Sequence, residues 1–223
     1  MNHGICNILY AHIIKRVVRI FLSAGLLLSA TLIFSGASRA ADWNINCGDN
    51  AALINAIAQS NQTLQNDVIS ILVSGANCSF TFSSANNLTD GPNALPSILS
   101  TAQAGSLTII AQQMTRFSAD TRTIPLRFFH VAVGGNLTLV GLWLTDAGNV
   151  NGSSVRINGG AIYNRGRLAI YQSFFTRNSG ERGGILYNAV GSYALLQYVY
   201  TTSPISYYPL PPLDSPPTIL GGA

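Results

Sequence analysis

After residue 40 the chain carries two cysteines, Cys47 and Cys78, one histidine, His130, one glutamate, Glu181, and seven aspartates. The cysteine pair can close a disulfide in an oxidising compartment or remain as two buried thiols. A metal centre needs three or four ligands, and no acid cluster accompanies His130. Cleavage of a glycosidic bond wants two carboxylates flanking it, yet Asp146 is the only acid between Asp120 and Glu181. These residues supply no catalytic, cofactor-binding or metal-ligating set. Eight Arg balance the eight acids past residue 40, so the formal charge of +4 comes from Lys15, Arg16, Arg19 and Arg39. No other Arg cluster argues for a nucleic-acid partner.

The scaffold that must hold these residues is a repeat. GGAIYN at Gly159 recurs as GGILYN at Gly183, a step of 24 residues. With one inserted residue, LAIYQSFFTRN from Leu168 lies over YALLQYVYTTS from Tyr193, and GNLTLVGLWLTDAG precedes both in the same frame. Gly135, Gly166 and Gly191 then share a column, as do Leu144, Phe175 and Tyr200, and Thr145, Thr176 and Thr201. Asp146 and Arg177 follow the aligned Thr and are expected as neighbours. Three copies of this length mark a stacked architecture, because one copy cannot bury its apolar face alone.

Each copy reads as strand. Leu137-Thr-Leu139 and Leu168-Ala-Ile170 alternate with period two, as a pleated strand with one buried face does. The phase slips at Val140-Gly141, which predicts a corner between two short strands. No helix separates the copies, so the expected fold is all-β: a solenoid whose strands pair in parallel from coil to coil. The column glycines, with the pairs Gly159-Gly160 and Gly183-Gly184, are expected at positive-φ corners. Asn164 and Asn188 follow the same Tyr in each copy and are expected to hydrogen-bond up their column and to the turn backbone.

The flanks differ. Residues 1–40 read as an export signal: basic residues from Lys15, an apolar run from Ile20 to Phe34, and small Ser38 and Ala40 before a cut at Ala41. An uncleaved anchor is the alternative. Asp49 or Asn50 can cap a short helix through Ala58 with Leu53, Ile54 and Ile57 on one face, placed to cover the first coil. Val68–Val73, Leu107–Ile110 and Phe128–Val133 read as strands. Ser83–Pro96 reads as loop. Asp146–Asn158 interrupts the repeat and reads as a solvated loop without a partner; the alternative is an insertion of the kind that solenoids carry on a binding face. Residues 204–223 form a proline-rich tail. The expected organisation is thus a signal over 1–40, a cap and irregular first coils over 41–127, regular coils over 128–203, and the tail. The last coil, rich in Tyr and Leu, leaves an open edge that favours self-association.

The two G-G-x-[IL]-Y-N elements resemble exported bacterial right-handed parallel β-helix proteins of the polymorphic outer membrane protein or probable-pectate-lyase-like repeat class. Asp90-Gly-Pro-Asn-Ala-Leu-Pro96, Arg127-Phe-Phe-His-Val131 and Leu137–Leu142 are similar to the stretch that leads into the regular coils of that class. The resemblance covers about residues 43–203. It implies a right-handed parallel β-helix, exported to the cell surface, outer membrane or periplasm, with no cofactor and no membrane span once the signal is removed. The expected role is a non-enzymatic module, adhesin-like or structural, with a surface or carbohydrate partner. The alternatives are a polysaccharide lyase or hydrolase on the same fold, and a truncated product without independent function. Trp43 and Trp143 are expected as packing or surface aromatics.

Overall fold

Ten strands and one helix organise the described residues of this chain, for which the structure is a computed structural model. Arg39–Ala223 groups as one compact unit. The residues the structure describes are 40–202, apart from 74, 76, 101–103, 122–123 and 151–153. The expected signal, up to residue 39, and the proline-rich tail lie outside them.

The strands are β1 (Asp42–Asn46), β2 (Asp67–Leu72), β3 (Ser79–Phe82), β4 (Leu107–Ala119), β5 (Phe129–Val131), β6 (Asn136–Thr145), β7 (Ile162–Asn164), β8 (Arg167–Thr176), β9 (Leu186–Asn188) and β10 (Tyr193–Thr201). All of them pair in parallel. One sheet runs β1-β2-β4-β6-β8-β10, with β3 also on β4; a second runs β5-β7-β9. Each step advances one coil, and about five turns build a parallel β-solenoid. The alternation of side chains fixes the register. Ile69, Ile109, Leu139, Ile170 and Leu196 stack in one inward column. The first four are fully buried, each contributing roughly 1.5–3 kcal/mol by leaving water. The irregular early coils therefore belong to the same ladder as the regular ones. β4 carries three more residues than β6 between paired positions, 110 to 115 against 140 to 142, and bulges there. A ring cluster of Phe80, Phe82, Phe117, Phe128 and Phe129 fills the core beside it.

The slip at Val140-Gly141 is a bend within one continuous strand. Gly141 has φ 73°, and Gln172 and Tyr198 take φ 48° and 54° at the matching positions of the next coils. Leu137 and Leu139 point inward before the bend, Leu142 and Leu144 after it.

Two expectations about the columns are corrected. Tyr193 pairs with Arg167 and Ala194 with Leu168, so the third copy is displaced by two inserted residues, not one. Only that offset turns Ala194, Leu196 and Val199 onto the core. Tyr200 accordingly lies over Phe174, and Thr201 over Phe175. Gly191 sits in the longer turn with φ 79°, outside the column of Gly135 and Gly166. Those two glycines do not adopt positive φ. A Cβ on Gly166 would lie 2.3 Å from the carbonyl oxygen of Gly135, and one on Gly135 would lie 2.6 Å from that of Ile98. Close backbone approach between coils excludes side chains there. Gly159 and Gly183 do take positive φ, 67° and 66°. Gly160 packs against Gly184, whose oxygen would lie 2.0 Å from an added Cβ.

Helix α1 (Asn50–Ser60) packs on β1, β2 and β3 with Leu53, Ala56, Ile57 and Ser60 buried. Asp49 Oδ1 accepts from Ala52 N at 2.9 Å, satisfying an orphan amide of the first turn. Cys47 and Cys78 form a disulfide across 31 residues, Cα to Cα 5.4 Å. It ties the turn before the helix to the start of β3. No helix among the described residues is long and apolar enough to cross a membrane.

Candidate functional site

A polar cluster forms where the loop 86–99 lies along β5. Ala94 N donates to Arg127 O at 2.8 Å, Ile98 N to His130 O at 2.9 Å, and Ala132 N returns to Ile98 O at 2.8 Å. The loop thus serves as the rung before β5, and its side chains close over that strand. The alternation of β5 sends Phe129 and Val131 into the core and His130 toward the loop. His130, Tyr163 and Tyr187 share a column. Their rings stack with centroids 5.7 and 5.1 Å apart.

His130 is 1% exposed. Its Nδ1 lies 2.9 Å from Ser97 Oγ and its Nε2 lies 3.0 Å from Asp90 Oδ2. Arg165 Nη1 donates to the same Asp90 oxygen at 2.9 Å. Burial pushes the Asp90 carboxyl up, but Arg165 and His130 outweigh it and hold it below the usual carboxylate range. Burial lowers the His130 pKa, Asp90 opposes this, and Arg127 adds to the fall. A neutral imidazole beside an ionised carboxylate must carry its proton on Nε2, so Nδ1 accepts from the Ser97 hydroxyl. Asn87 Oδ1, 3.2 Å from Ser97 Oγ, offers that hydroxyl a second acceptor.

Arg127 is fully buried beside His130, and among the described residues its hydrogen-bond partners are oxygens of amides and backbone. Its Nε donates to Asn93 Oδ1 at 2.5 Å, its Nη1 to Asn158 O at 2.6 Å, and its Nη2 to Asp90 O. The guanidinium lies over the Tyr163 ring, 4.8 Å from the centroid. Burial brings its pKa down to about 10, against the pull of Tyr163 and Asp90; at neutral pH it remains a cation. Asn93 spends its amide protons on Asn87 Oδ1, Thr89 O and Gly91 O. Three backbone or amide oxygens and a ring face compensate the charge, which a buried cation requires.

Ser97, His130 and Asp90 have the hydrogen-bond order of an acyl-transfer relay. Such a relay also needs amide donors aimed at a developing oxyanion. The amides that follow Ser97 are engaged, Ile98 N with His130 O and Leu99 N with Asn61 Oδ1 at 3.0 Å. Arg165 further neutralises the carboxylate. The arrangement suits a latch that fastens the loop to the solenoid. Asn61 extends it, donating to Ser97 O at 2.8 Å, so the end of α1 is tied to the same loop.

The residues singled out from sequence lie elsewhere. Asn164 Nδ2 donates to Asn188 Oδ1 at 2.6 Å and to Tyr193 O at 2.9 Å, its Oδ1 accepts from Gly166 N, and Asn188 Nδ2 reaches Ser192 O. Asp146 and Arg177 meet on adjacent coils, where Trp143 Nε1, Thr176 and Thr145 pass hydrogen bonds to the same carboxylate. Trp143 stands half-buried under the Arg116 guanidinium, 5.4 Å from its ring; Trp43 packs against the core. In the insertion 146–158, Ala147 and Ile157 are buried, and Gly148 bridges Leu126 and Ser179. Sequence reading left out Asp90, Ser97, Arg127 and Arg165 as a set. Its one signal was that Asp90-Gly-Pro-Asn and Arg127-Phe-Phe-His carry polar residues into a region that must bury its surroundings. Among the described residues no group of three His, Cys, Asp or Glu is placed to hold a metal. Comparison with protein families, curated proteins and solved structures found no match to this chain.

Proposed function

We propose that this chain is a non-enzymatic β-solenoid module of an exported protein, structural or adhesin-like, of the right-handed β-helix class that its GG-x-[IL]-YN elements resemble. The observation that supports this reading is how the His130 cluster uses its polar groups. His130, Arg127, Asn93 and Asn87 direct their hydrogen bonds onto the chain's own loop, coil backbone and side chains. A site built for turnover keeps such groups aimed at a reacting atom. A surface module needs a rigid scaffold that displays short turns, and these bonds rigidify one.

Two measurements on one preparation test it. Intact cells producing the chain are probed with an antibody to residues 39–223. The purified protein is incubated with uronate-containing and neutral polysaccharides and with a fluorophosphonate that labels activated serines. The reading expects surface labelling, no depolymerisation and no label on Ser97. Release of unsaturated uronates or reducing ends, or Ser97 labelling that His130→Ala abolishes, would replace it with an enzymatic one.

A further inference from the structure

Beside the latch, the end of α1 and the loop 86–99 enclose a cleft of about 410 Å³. Small-molecule sites span roughly 300–1,000 Å³. Ala58, Pro96 and Leu99 give the cleft an apolar lining, and Asn61, Asn87 and Ser97 a polar one. The two asparagines are held still. Asn61 donates one amide proton to Ser97 O at 2.8 Å, and its Oδ1 accepts from Leu99 N at 3.0 Å. Asn87 donates one amide proton to Leu95 O at 2.8 Å, and its Oδ1 accepts from Asn93 Nδ2 at 2.9 Å. A side-chain amide carries two protons, so each asparagine keeps one on a group already fixed in place. The exposed side chains of Gln62, Asn86 and Thr89 also line the cleft and add further donors and acceptors.

The lining narrows the class of ligand. No charged side chain belongs to it. From Asn50 to Thr115 the only charged residues are Asp67 and Asp90. Asp67 is 1% exposed, and Asp90 is engaged by His130 and Arg165. An ion entering the cleft would therefore lose hydration without a counter-charge. A peptide strand would need unpaired backbone to dock on. That backbone is spent: Ser97 O and Leu99 N on Asn61, Leu95 O on Asn87, Ile98 N on His130 O, and Ile98 O on Ala132 N. Side-chain amides and hydroxyls around an apolar patch remain. A sugar ring has the complementary layout, with hydroxyls at its rim and C–H groups on its faces. Each hydroxyl both donates and accepts, and so does each amide.

We propose that this cleft binds a neutral saccharide, with Asn61 and Asn87 as fixed donors and Asn86 and Thr89 as adjustable partners. The latch gains a second consequence. By holding Ser97 and Asn87 it sets the cleft in its binding geometry, so less ordering is left to the binding step. The inference rests on the functional reading above in its adhesin-like form and names the ligand class that such a module would take.

Amide chemical shifts of the purified protein, titrated with glucose, galactose, mannose and N-acetylglucosamine, test it, with glucuronate as the charged comparison. At least one neutral sugar should move the amides of 58–62 and 86–99 saturably. Glucuronate should bind more weakly than glucose, because its carboxylate meets no cation. The double variant Asn86→Ala, Thr89→Val should weaken binding about ten-fold or more, while its unchanged shifts elsewhere prove it folded. No saturable shift in these segments with any of the four sugars would overturn the proposal. So would shifts confined to another surface, binding indifferent to the double variant, or tighter binding of glucuronate. Surface labelling of cells without sugar shifts would overturn the cleft and keep the functional reading. Sugar shifts in a protein that the fluorophosphonate labels at Ser97 would keep the cleft and replace the reading.

Discussion

Arg177 closes on Asp146 of the preceding coil with two nitrogens, Nε to Oδ1 at 2.6 Å and Nη2 to Oδ2 at 2.9 Å. Both residues sit at the same corner in left-handed conformation, φ 52° and 64°. Arg116 reaches the carboxylate from the other side at 3.3 Å. Burial raises the Asp146 pKa, and Arg177, Thr145 and Arg116 together bring it below its ordinary value. Because the Arg177 side chain is 62% exposed, water and salt screen the pair. Asp146→Asn keeps a residue suited to left-handed backbone, removes the charge and turns one of the two accepting oxygens into an NH2 donor. It should cost about 1 kcal/mol or less in urea unfolding at low salt, with most of the difference gone in concentrated salt. A salt-independent loss would mean that hydrogen bonding and packing, not charge, hold this corner.

Stability should fall on mild acidification, and His130 should be the cause. Its pKa is lowered in the folded state, so the unfolded chain takes up the proton first as pH drops. The contribution is complete above the free imidazole value near 6.5 and is lost as pH falls from there through the folded pKa. Asp90, also held low, adds its own loss only as pH falls below about 4. His130 is the only histidine past residue 40. Unfolding free energy measured between about pH 8 and pH 5 should therefore decline in the wild type and stay nearly flat in His130→Gln. Equal slopes in the two proteins would place the acid sensitivity elsewhere.

Local pattern carried much of this fold. The Asn164–Asn188 ladder, the Cys47–Cys78 bridge and the Asp146–Arg177 pair could all be read because each joins residues related by the repeat or by simple elimination. The offset of the third copy could not. The turn 189–192 is longer by two residues than the turn after Asn164, and the glycine at 191 lies one place before the true match of Gly166, now Ser192. Only burial of Ala194 and Leu196 settles the frame. The bend at 141 was visible through its glycine, but Gln172 and Tyr198 adopt the same conformation without one. The His130 cluster draws on residues 90, 93, 97, 127, 158 and 165, none related by the repeat, so no periodicity could assemble it.

The corrected glycine columns have an ordered consequence. Gly166→Ala puts a methyl 2.3 Å from the carbonyl oxygen of Gly135, which is backbone and cannot turn aside. It should destabilise by about 3 kcal/mol. Gly191→Ala meets nothing within 4 Å and bears only the left-handed φ of 79°, a cost of about 1 kcal/mol. Thermal unfolding of the two variants ranks them. Equal effects would return Gly191 to the column of Gly166.

The Asp90–His130–Ser97 cluster fastens a loop to a coil, and the exchange of that loop's amides depends on it. Native-state hydrogen exchange, compared between the wild type and His130→Ala, reads it directly. The amides of Ala94 and Ile98, bonded to Arg127 O and His130 O, report the loop; those of β6 and β8 report the ladder beyond it. Protection should collapse across 86–99 in the variant while β6 and β8 exchange as before. Unchanged protection of 86–99 would contradict it and leave the cluster without a structural role.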